Sequence, residues 1–398
     1  MKNLQLPFGV QDYMPQECYN KNLVQERLAE VFLRHGFKRV GTPAIEYFDT
    51  YDDVLSRSAV NKTFKMTDSD GSLLMLRSDP TLQICRMAAT KLGAEHIGKV
   101  YYLENSYEYI SDPSTARSRE FPQAGVELLG ASGAAGDVEA IVTAIEGLQN
   151  AGLTDFMLEI GQVDYFNGIV SEAGMSDENA RELRALINKK DMLGVEMFLR
   201  GKNVNEKFFT QFLQLPTLFG DEDVLDRARK GVANHKSLRA LDDLGEIMAA
   251  LRAMRLDTYV SVDLGLLRGE YYTGLVMKGF SGRLGVPILD GGRYDDLCAS
   301  FGRPLPAVGF SVGVKRLLMA LEKEDKLVRG AETACAYISD GKDIAFEYAC
   351  VSDMRRKGIA VEKRFEEDKD ALIAYCVRCG IPRALVIEGG QSKVIEVK

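Results

Sequence analysis

The 398-residue chain holds no run of about 18 apolar residues, the length that marks a bilayer-crossing helix. Its start, Met1 to Pro7, lacks the basic stretch and apolar core of a secretory leader, so a cytoplasmic protein is expected. Positive charge is in deficit: 50 Lys and Arg against 58 Asp and Glu leave a net charge of −8. No overall basic surface advertises nucleic acid, although a local basic groove is compatible with an acidic chain. Histidine is scarce, with His35, His96 and His235 far apart, and the seven cysteines are odd in number and scattered, as befits reduced thiols. Cys376 and Cys379 form a CxxC, but no second pair or nearby histidine completes a metal set. The pair lies in an apparent amphipathic helix, Lys369 to Gly380, so helix packing is expected and no metal. The glycines of residues 130–136 match neither standard nucleotide fingerprint, and a turn before a helix is expected there, with no cofactor.

What is present is a 46% hydrophobic chain long enough for one large domain and a smaller one. Leu23, Leu28, Val31 and Phe32 recur at helix spacing before Gly36. Strands are expected over Arg39 to Ile45, Ser72 to Arg77, Gly98 to Tyr109 and Phe121 to Leu129, followed by a helix from Asp137 to Gly152. Residues 171–254 are charged and helix-favouring, which suggests a helical insertion. Strand patterning returns at Thr258 to Leu264 and Tyr271 to Phe280, and Gly309 to Leu321 reads as a strand turning into a helix. Strands interrupted by helices in this way predict an α+β domain over 1–325 with a mainly antiparallel sheet. After a polar linker, Glu322 to Arg329, residues 331–398 read β-α-β-α-β, a small α/β domain with a parallel component.

Four segments mix glycine, aromatics and charge in a strand context. They are Leu76-Arg77-Ser78-Asp79-Pro80-Thr81, the stretch from Arg117 and Arg119 through Gln123 to Glu127, Arg268-Gly269-Glu270-Tyr271-Tyr272, and Gly291-Gly292-Arg293-Tyr294-Asp295. A fifth, Val308 to Leu317, opens a helix and carries Lys315 and Arg316. Carboxylates Asp79 and Glu127 with Gln123 are suited to an amino group and an imidazole. The tyrosines offer apolar walls with polar tips, and the glycines allow close backbone approach. The plainer alternative is that Asp79, Gln123 and Glu127 only pair across strands, that Arg316 is a helix-surface cation, and that Arg117 and Arg119 are solvated loop charges.

Together, and in this order, the segments resemble histidyl-tRNA synthetase, a class II aminoacyl-tRNA synthetase, along nearly the whole chain. Pro7 to Pro15 is similar to the family's amino-terminal segment, and Gly36 through Pro43 to Glu46 to its dimerisation motif. Arg77 to Arg86 is similar to the Arg-Pro-Glu-Gly-Thr segment, with Asp79 in the glutamate position. Arg119 to Glu127 is similar to the end of motif 2, and Gly309 to Arg316 to motif 3. Residues 331–398 resemble the anticodon-binding domain without its usual final helix. The resemblance implies a histidine pocket of Asp79, Thr81, Gln123, Glu127, Arg268, Tyr271, Tyr272 and Tyr294, and a residual nucleotide site of Arg117, Arg119 and Arg316. In that pocket Asp79 and Glu127 would accept from the amino group, Gln123 would orient it, and Tyr272 or Tyr294 would flank the ring.

The departures from the family matter more. Motif 2 carries an arginine that grips the ATP α-phosphate and the amino-acid carboxylate; counting back from Arg119 puts Tyr109 there. Register is immaterial, since no Lys or Arg occurs between Lys99 and Arg117. Tyrosine offers no bidentate cation for phosphate. The Arg268 segment is one residue shorter than the family's, and Lys315 replaces a usual glutamate. This pattern is similar to the family's paralogues that serve as regulatory subunits of short-form ATP phosphoribosyltransferase. That similarity implies no catalytic residues and no aminoacylation, a hetero-octamer of four catalytic and four regulatory chains, and feedback inhibition by histidine. It also implies a homodimer through motif 1, with no tRNA and no membrane as partner. A divergent histidyl-tRNA synthetase is the enzyme alternative.

Overall fold

The computed structural model describes residues 4–92, 98–111, 118–267, 271–328, 333–365 and 368–397. Helix α1 (Pro15–Arg34) buries Val24, Leu28, Val31 and Phe32 on one stripe. It is closed off by Gly36 in the left-handed region, φ +81°. The single strand expected over Arg39 to Ile45 is two: β1 (Lys38–Arg39) and β2 (Ile45–Tyr47), in different sheets. Pro43, which has no N–H for a ladder, stands in the gap between them. Helix α2 (Arg57–Asn61) is followed by the hairpin of β3 (Lys65–Thr67) and β4 (Leu73–Leu76), and these with β2 make a small antiparallel sheet ordered β2-β4-β3.

Where Arg77 to Thr81 reads as strand-like in sequence, the chain instead starts helix α3 (Pro80–Thr90). Asp79 is its N-cap and Pro80 its first residue, a pairing that favours helix initiation because the missing N–H of proline is never needed there. The long strands β5 (Gly98–Tyr107) and β6 (Glu120–Leu129) pair antiparallel from Gly98↔Leu129 to Tyr107↔Glu120. Helix α4 (Gly133–Ala151) follows the glycine-rich turn, then β7 (Phe156–Gln162). Six helices come next: α5 (Val163–Glu172), α6 (Asp177–Asn188), α7 (Met192–Gly201), α8 (Glu206–Gln214), α9 (Asp223–Gly231) and α10 (His235–Ala253). The two-residue strand β8 (Phe219–Gly220) lies between α8 and α9. The chain then runs through β9 (Val260–Asp263), β10 (Leu275–Ser281), β11 (Leu284–Arg293) and β12 (Ala307–Gly313) into helix α11 (Val314–Lys323).

The large sheet is nine-stranded, ordered β1-β5-β6-β12-β11-β10-β7-β9-β8. Its pairs are antiparallel except β1 with β5 and β7 with β9. Strand β11, which the sequence patterning did not reveal, sits centrally and carries three glycines together with Asp290 and Arg293. From Ile288 to Arg293 it has no clean alternation because both faces are largely covered there.

Contacts divide the chain into two compact units, Met1–Gln11 with Leu23–Lys326, and Asp12–Asn22 with Leu327–Lys398. The sequence predicts a boundary between 325 and 331; residues 12–22 also belong to the smaller unit. There Gln16 and Asn20 both donate to the Val328 carbonyl, at 3.0 and 3.1 Å. The rest of that unit is β13 (Cys335–Ser339), α12 (Ile344–Arg356), β14 (Val361–Lys363), α13 (Lys369–Cys379), β15 (Arg383–Glu388) and a further hairpin strand, β16 (Gln391–Glu396). The order is β14-β13-β15-β16, parallel apart from β16. Cys376 is buried in its core and Cys379 packs at the edge. Among the described residues no group of metal-ligating side chains occurs, and no helix is long and apolar enough to cross a membrane.

Candidate functional site

Strand pleating puts Gln123, Gly125 and Glu127 of β6 on one face of the large sheet. Their neighbours are Glu104, Tyr102 and Val100 of β5 and Gly313, Ser311 and Gly309 of β12. Glu127 is 1% exposed. It fits because Gly309 is glycine: a Cβ there would collide with the carboxylate. Thr81, from the first turn of α3, donates its hydroxyl to Glu127 Oε1 at 2.6 Å, and the Tyr294 hydroxyl donates to Oε2. Burial pushes the Glu127 carboxyl up to about 8; the Thr81 and Tyr294 hydroxyls oppose the shift, and nearby Asp79 adds to it. Near neutral pH, Glu127 therefore holds its proton.

Asp79 stands in front of this cluster. Its Oδ1 accepts the N–H of Thr81 at 3.0 Å and its Oδ2 the Tyr271 hydroxyl at 3.0 Å. Tyr271 meets Tyr272 and Tyr294 edge-on, with centroids 4.9 and 6.1 Å apart. A cleft of about 1640 Å³ opens beside Asp79, Ser78 and Tyr271. Its other walls are the ends of β5 and β6, with Tyr107, Glu108 and Phe121, the Lys62 side chain, and helices α5 and α6.

Of the residues expected to bind histidine, Asp79 and Tyr271 line the cleft, whereas Thr81, Glu127 and Tyr294 form the buried cluster behind them. Tyr272 packs between Tyr271 and the core, and Gln123 accepts from Ser106 Oγ at 2.6 Å, across the β5–β6 ladder. Arg268 and Arg117 lie outside the described residues. The other two members of the expected nucleotide site are engaged apart from each other: Arg119 donates to the Ile110 carbonyl and Arg316 to the Pro287 carbonyl, at 2.9 Å for the latter. Neither lines the cleft. Tyr109 lies past the end of β5, edge-on to Phe64 and 5.2 Å below the Arg119 guanidinium. The neighbouring Glu108 faces the cleft and pairs with Lys62 at 3.4 Å.

Sequence reasoning missed Arg293. It is buried beside Tyr294, with Asp137 at 2.7 Å, Asp295 at 3.0 Å and the carbonyls of Ala131 and Gly133 at 2.8 and 3.1 Å. Burial pushes Asp137 up to about 6 and the Arg293 charge opposes it. This arginine ties the glycine-rich turn before α4 to the end of β11 and so fixes the Tyr294 backbone. The available signal was a charge inside an apolar, glycine-containing strand. The Arg77 guanidinium, also buried, binds the Thr42 and Asn105 carbonyls at 2.6 and 2.8 Å and Glu104 at 3.0 Å.

Residues 9–317 match the family model for histidyl-tRNA synthetase. The chain is 37% identical over 360 residues to the ATP phosphoribosyltransferase regulatory subunit of Acetivibrio thermocellus, covering 89% of this chain and 85% of that one. It is 38% identical over 319 residues to the same subunit of Ruminiclostridium cellulolyticum, covering 80% and 76%. A crystal structure from Bacillus halodurans, described as an ATP phosphoribosyltransferase regulatory subunit/histidyl-tRNA synthetase, superposes with TM-score 0.86 at 30% identity over 97% of this chain and 99% of that one. Histidyl-tRNA synthetase from Nostoc shares the fold, with TM-score 0.83 at 19% identity over 100% and 97%. The chain belongs to the histidyl-tRNA synthetase family, in its branch of ATP phosphoribosyltransferase regulatory subunits.

Proposed function

We propose that the chain is a non-catalytic regulatory subunit that works with a catalytic ATP phosphoribosyltransferase subunit, a glycosyltransferase, in the first step of histidine biosynthesis in the cytoplasm. Histidine is its effector, bound beside Asp79, and it does not charge tRNA. One observation carries this reading: the cleft keeps a carboxylate and a tyrosine wall, while the end of β5 offers Glu108 and Tyr109 instead of a phosphate-gripping arginine. That end of β5 therefore supplies no bidentate cation for the phosphates that adenylation must hold.

The complex is proposed as four regulatory and four catalytic chains, with the regulatory chains paired through the motif around 36–46. The exposed Ile45 and Tyr47 on strand β2 suit such a contact. The test is co-purification with a catalytic subunit, followed by its activity with and without histidine. Activation on mixing, inhibition by histidine, and no histidine-dependent ATP–pyrophosphate exchange are expected. Exchange above a no-enzyme control would favour a divergent synthetase instead, and a monomer in sedimentation of the chain alone would remove the motif 1 pairing.

A further inference from the structure

Two of the seven cysteines meet behind the pocket, although 213 residues separate them in the chain. Cys85 lies on α3, the helix that Asp79 caps and whose first turn carries Thr81. Cys298 opens a single 3-10 turn, Cys298–Phe301, shortly after Tyr294. Their sulfurs are hydrogen-bonded, 3.0 Å apart. Both are fully buried in the core cluster that holds Tyr294, with Tyr271 and Tyr272 packed against it.

A buried cysteine is ordinarily a small apolar filler with an inert thiol. Cys85 alone fits that description, since its hydrogen bond with Cys298 and its burial both push its thiol up. Cys298 does not. The hydrogen bond with Cys85 holds its thiol below the ordinary value, burial opposes that, and the Arg303 guanidinium supports it. Its cover is also thin, because Ala299 and Ser300 are exposed and the turn ends at Gly302 with φ +87°. A lone 3-10 turn has poor hydrogen-bond geometry, and such segments open locally at low cost.

We infer that Cys85 and Cys298 are an oxidation site, forming a reversible disulfide on reaction with a hydroperoxide. The Cys298 thiolate attacks one peroxide oxygen and breaks the O–O bond, which leaves a sulfenic acid on Cys298. The other oxygen takes up the proton that Cys298 gave and departs as an alcohol, or as water from hydrogen peroxide. Cys85 then attacks the Cys298 sulfur and expels hydroxide, which leaves as water with the Cys85 proton. Two thiols and one hydroperoxide become one disulfide, one alcohol and one water, and a dithiol reverses the change by exchange.

A disulfide is about 2.05 Å long, so closing it from 3.0 Å draws the two sulfurs together by about 1 Å. The surrounding core is packed and passes the shift to α3 and to the turn. Binding groups must hold position within about 0.5 Å, so Asp79 and Thr81 lose their alignment with Tyr294. Oxidation therefore weakens amino-acid binding, a consequence that rests on the amino-acid reading of the pocket proposed above.

The test treats the full chain with hydrogen peroxide and maps its unreduced peptides by mass spectrometry. Histidine binding to the reduced and oxidised chain is then measured by calorimetry. A linked Cys85–Cys298 peptide that has lost two hydrogens and vanishes with dithiothreitol is expected. Oxidation should weaken histidine roughly 5- to 150-fold, the range for coupled sites. Cys298→Ser, or Cys85→Ala if that variant does not fold, should lose the linked peptide and make histidine affinity indifferent to peroxide. Free thiols at both positions after treatment, or Cys298 oxidised beyond sulfenic acid with no link, overturn the assignment. A linked chain with unchanged histidine affinity overturns the coupling to the pocket. If the reduced chain binds no histidine, the amino-acid reading fails, and the linked peptide by itself decides the disulfide.

Discussion

Glu127 and Asp79 are two carboxylates within one hydrogen-bonded cluster, linked through Thr81, yet the fold treats them oppositely. Glu127 is sealed behind β12, satisfied by two hydroxyls and neutral near pH 7. Asp79 caps a helix and opens on the cleft. Burial, not residue type, separates the two roles. A sealed carboxyl shapes the floor of the site; an open one faces the cleft. The same contrast holds for arginines, since Arg293 is walled in with Asp137 whereas Arg181 stands at the cleft edge.

The largest effect should come from breaking the sealed side. Arg293→Ala strands the buried Asp137 carboxylate, and removing one partner of a buried pair costs about 3–5 kcal/mol. Denaturant titration should show that loss, and a variant within about 0.5 kcal/mol of wild type would mean the turn before α4 does not depend on it.

On the open side the expected loss is in binding. Asp79→Asn keeps a side-chain oxygen to cap α3, since asparagine caps as well as aspartate, but removes the charge offered to an ammonium. Histidine affinity should fall roughly 10- to 150-fold with stability nearly unchanged. Equal affinity in the variant, by calorimetry, would take Asp79 out of the ligand site.

The smallest effect sharpens the contrast. The folded chain holds the Glu127 proton up to about pH 8, against 4.5 for the free group, so the native state binds more protons in that window and stability falls as pH rises through it. Asp137, raised to about 6, acts in the same direction lower down, which leaves the interval above pH 6 to Glu127. Glu127→Gln should flatten the stability profile there. Sequence alone pointed to Glu127 as an acceptor for the ligand's amino group; its enclosure instead predicts that Glu127→Gln lowers histidine affinity less than Asp79→Asn does. A larger loss in the glutamine variant would reverse that ranking.

Much of the fold was legible in the chain. The α1 stripe, the β5–β6 pair, the α4 helix and the α/β rhythm after residue 331 follow from local periodicity and turn residues, which act over a few neighbours. What stayed hidden has a physical cause in each case. Asp79-Pro80 is a helix start, but flanking apolar residues made it look like strand. Strand β11 is largely covered on both faces from Ile288 onward and so shows no alternation. Arg293 finds Asp137 across 156 residues, a distance no local pattern spans.

Sequence by itself determined the absence of any Lys or Arg between Lys99 and Arg117, because no folding can supply a charge the strand does not encode. It also determined the order of segments that carries the family resemblance. Only the tertiary structure decided which carboxylate is open, which arginines are committed, and that α6 faces Asp79 across one cleft. Those outcomes depend on burial and pairing between distant parts of the chain, and both are created by the fold.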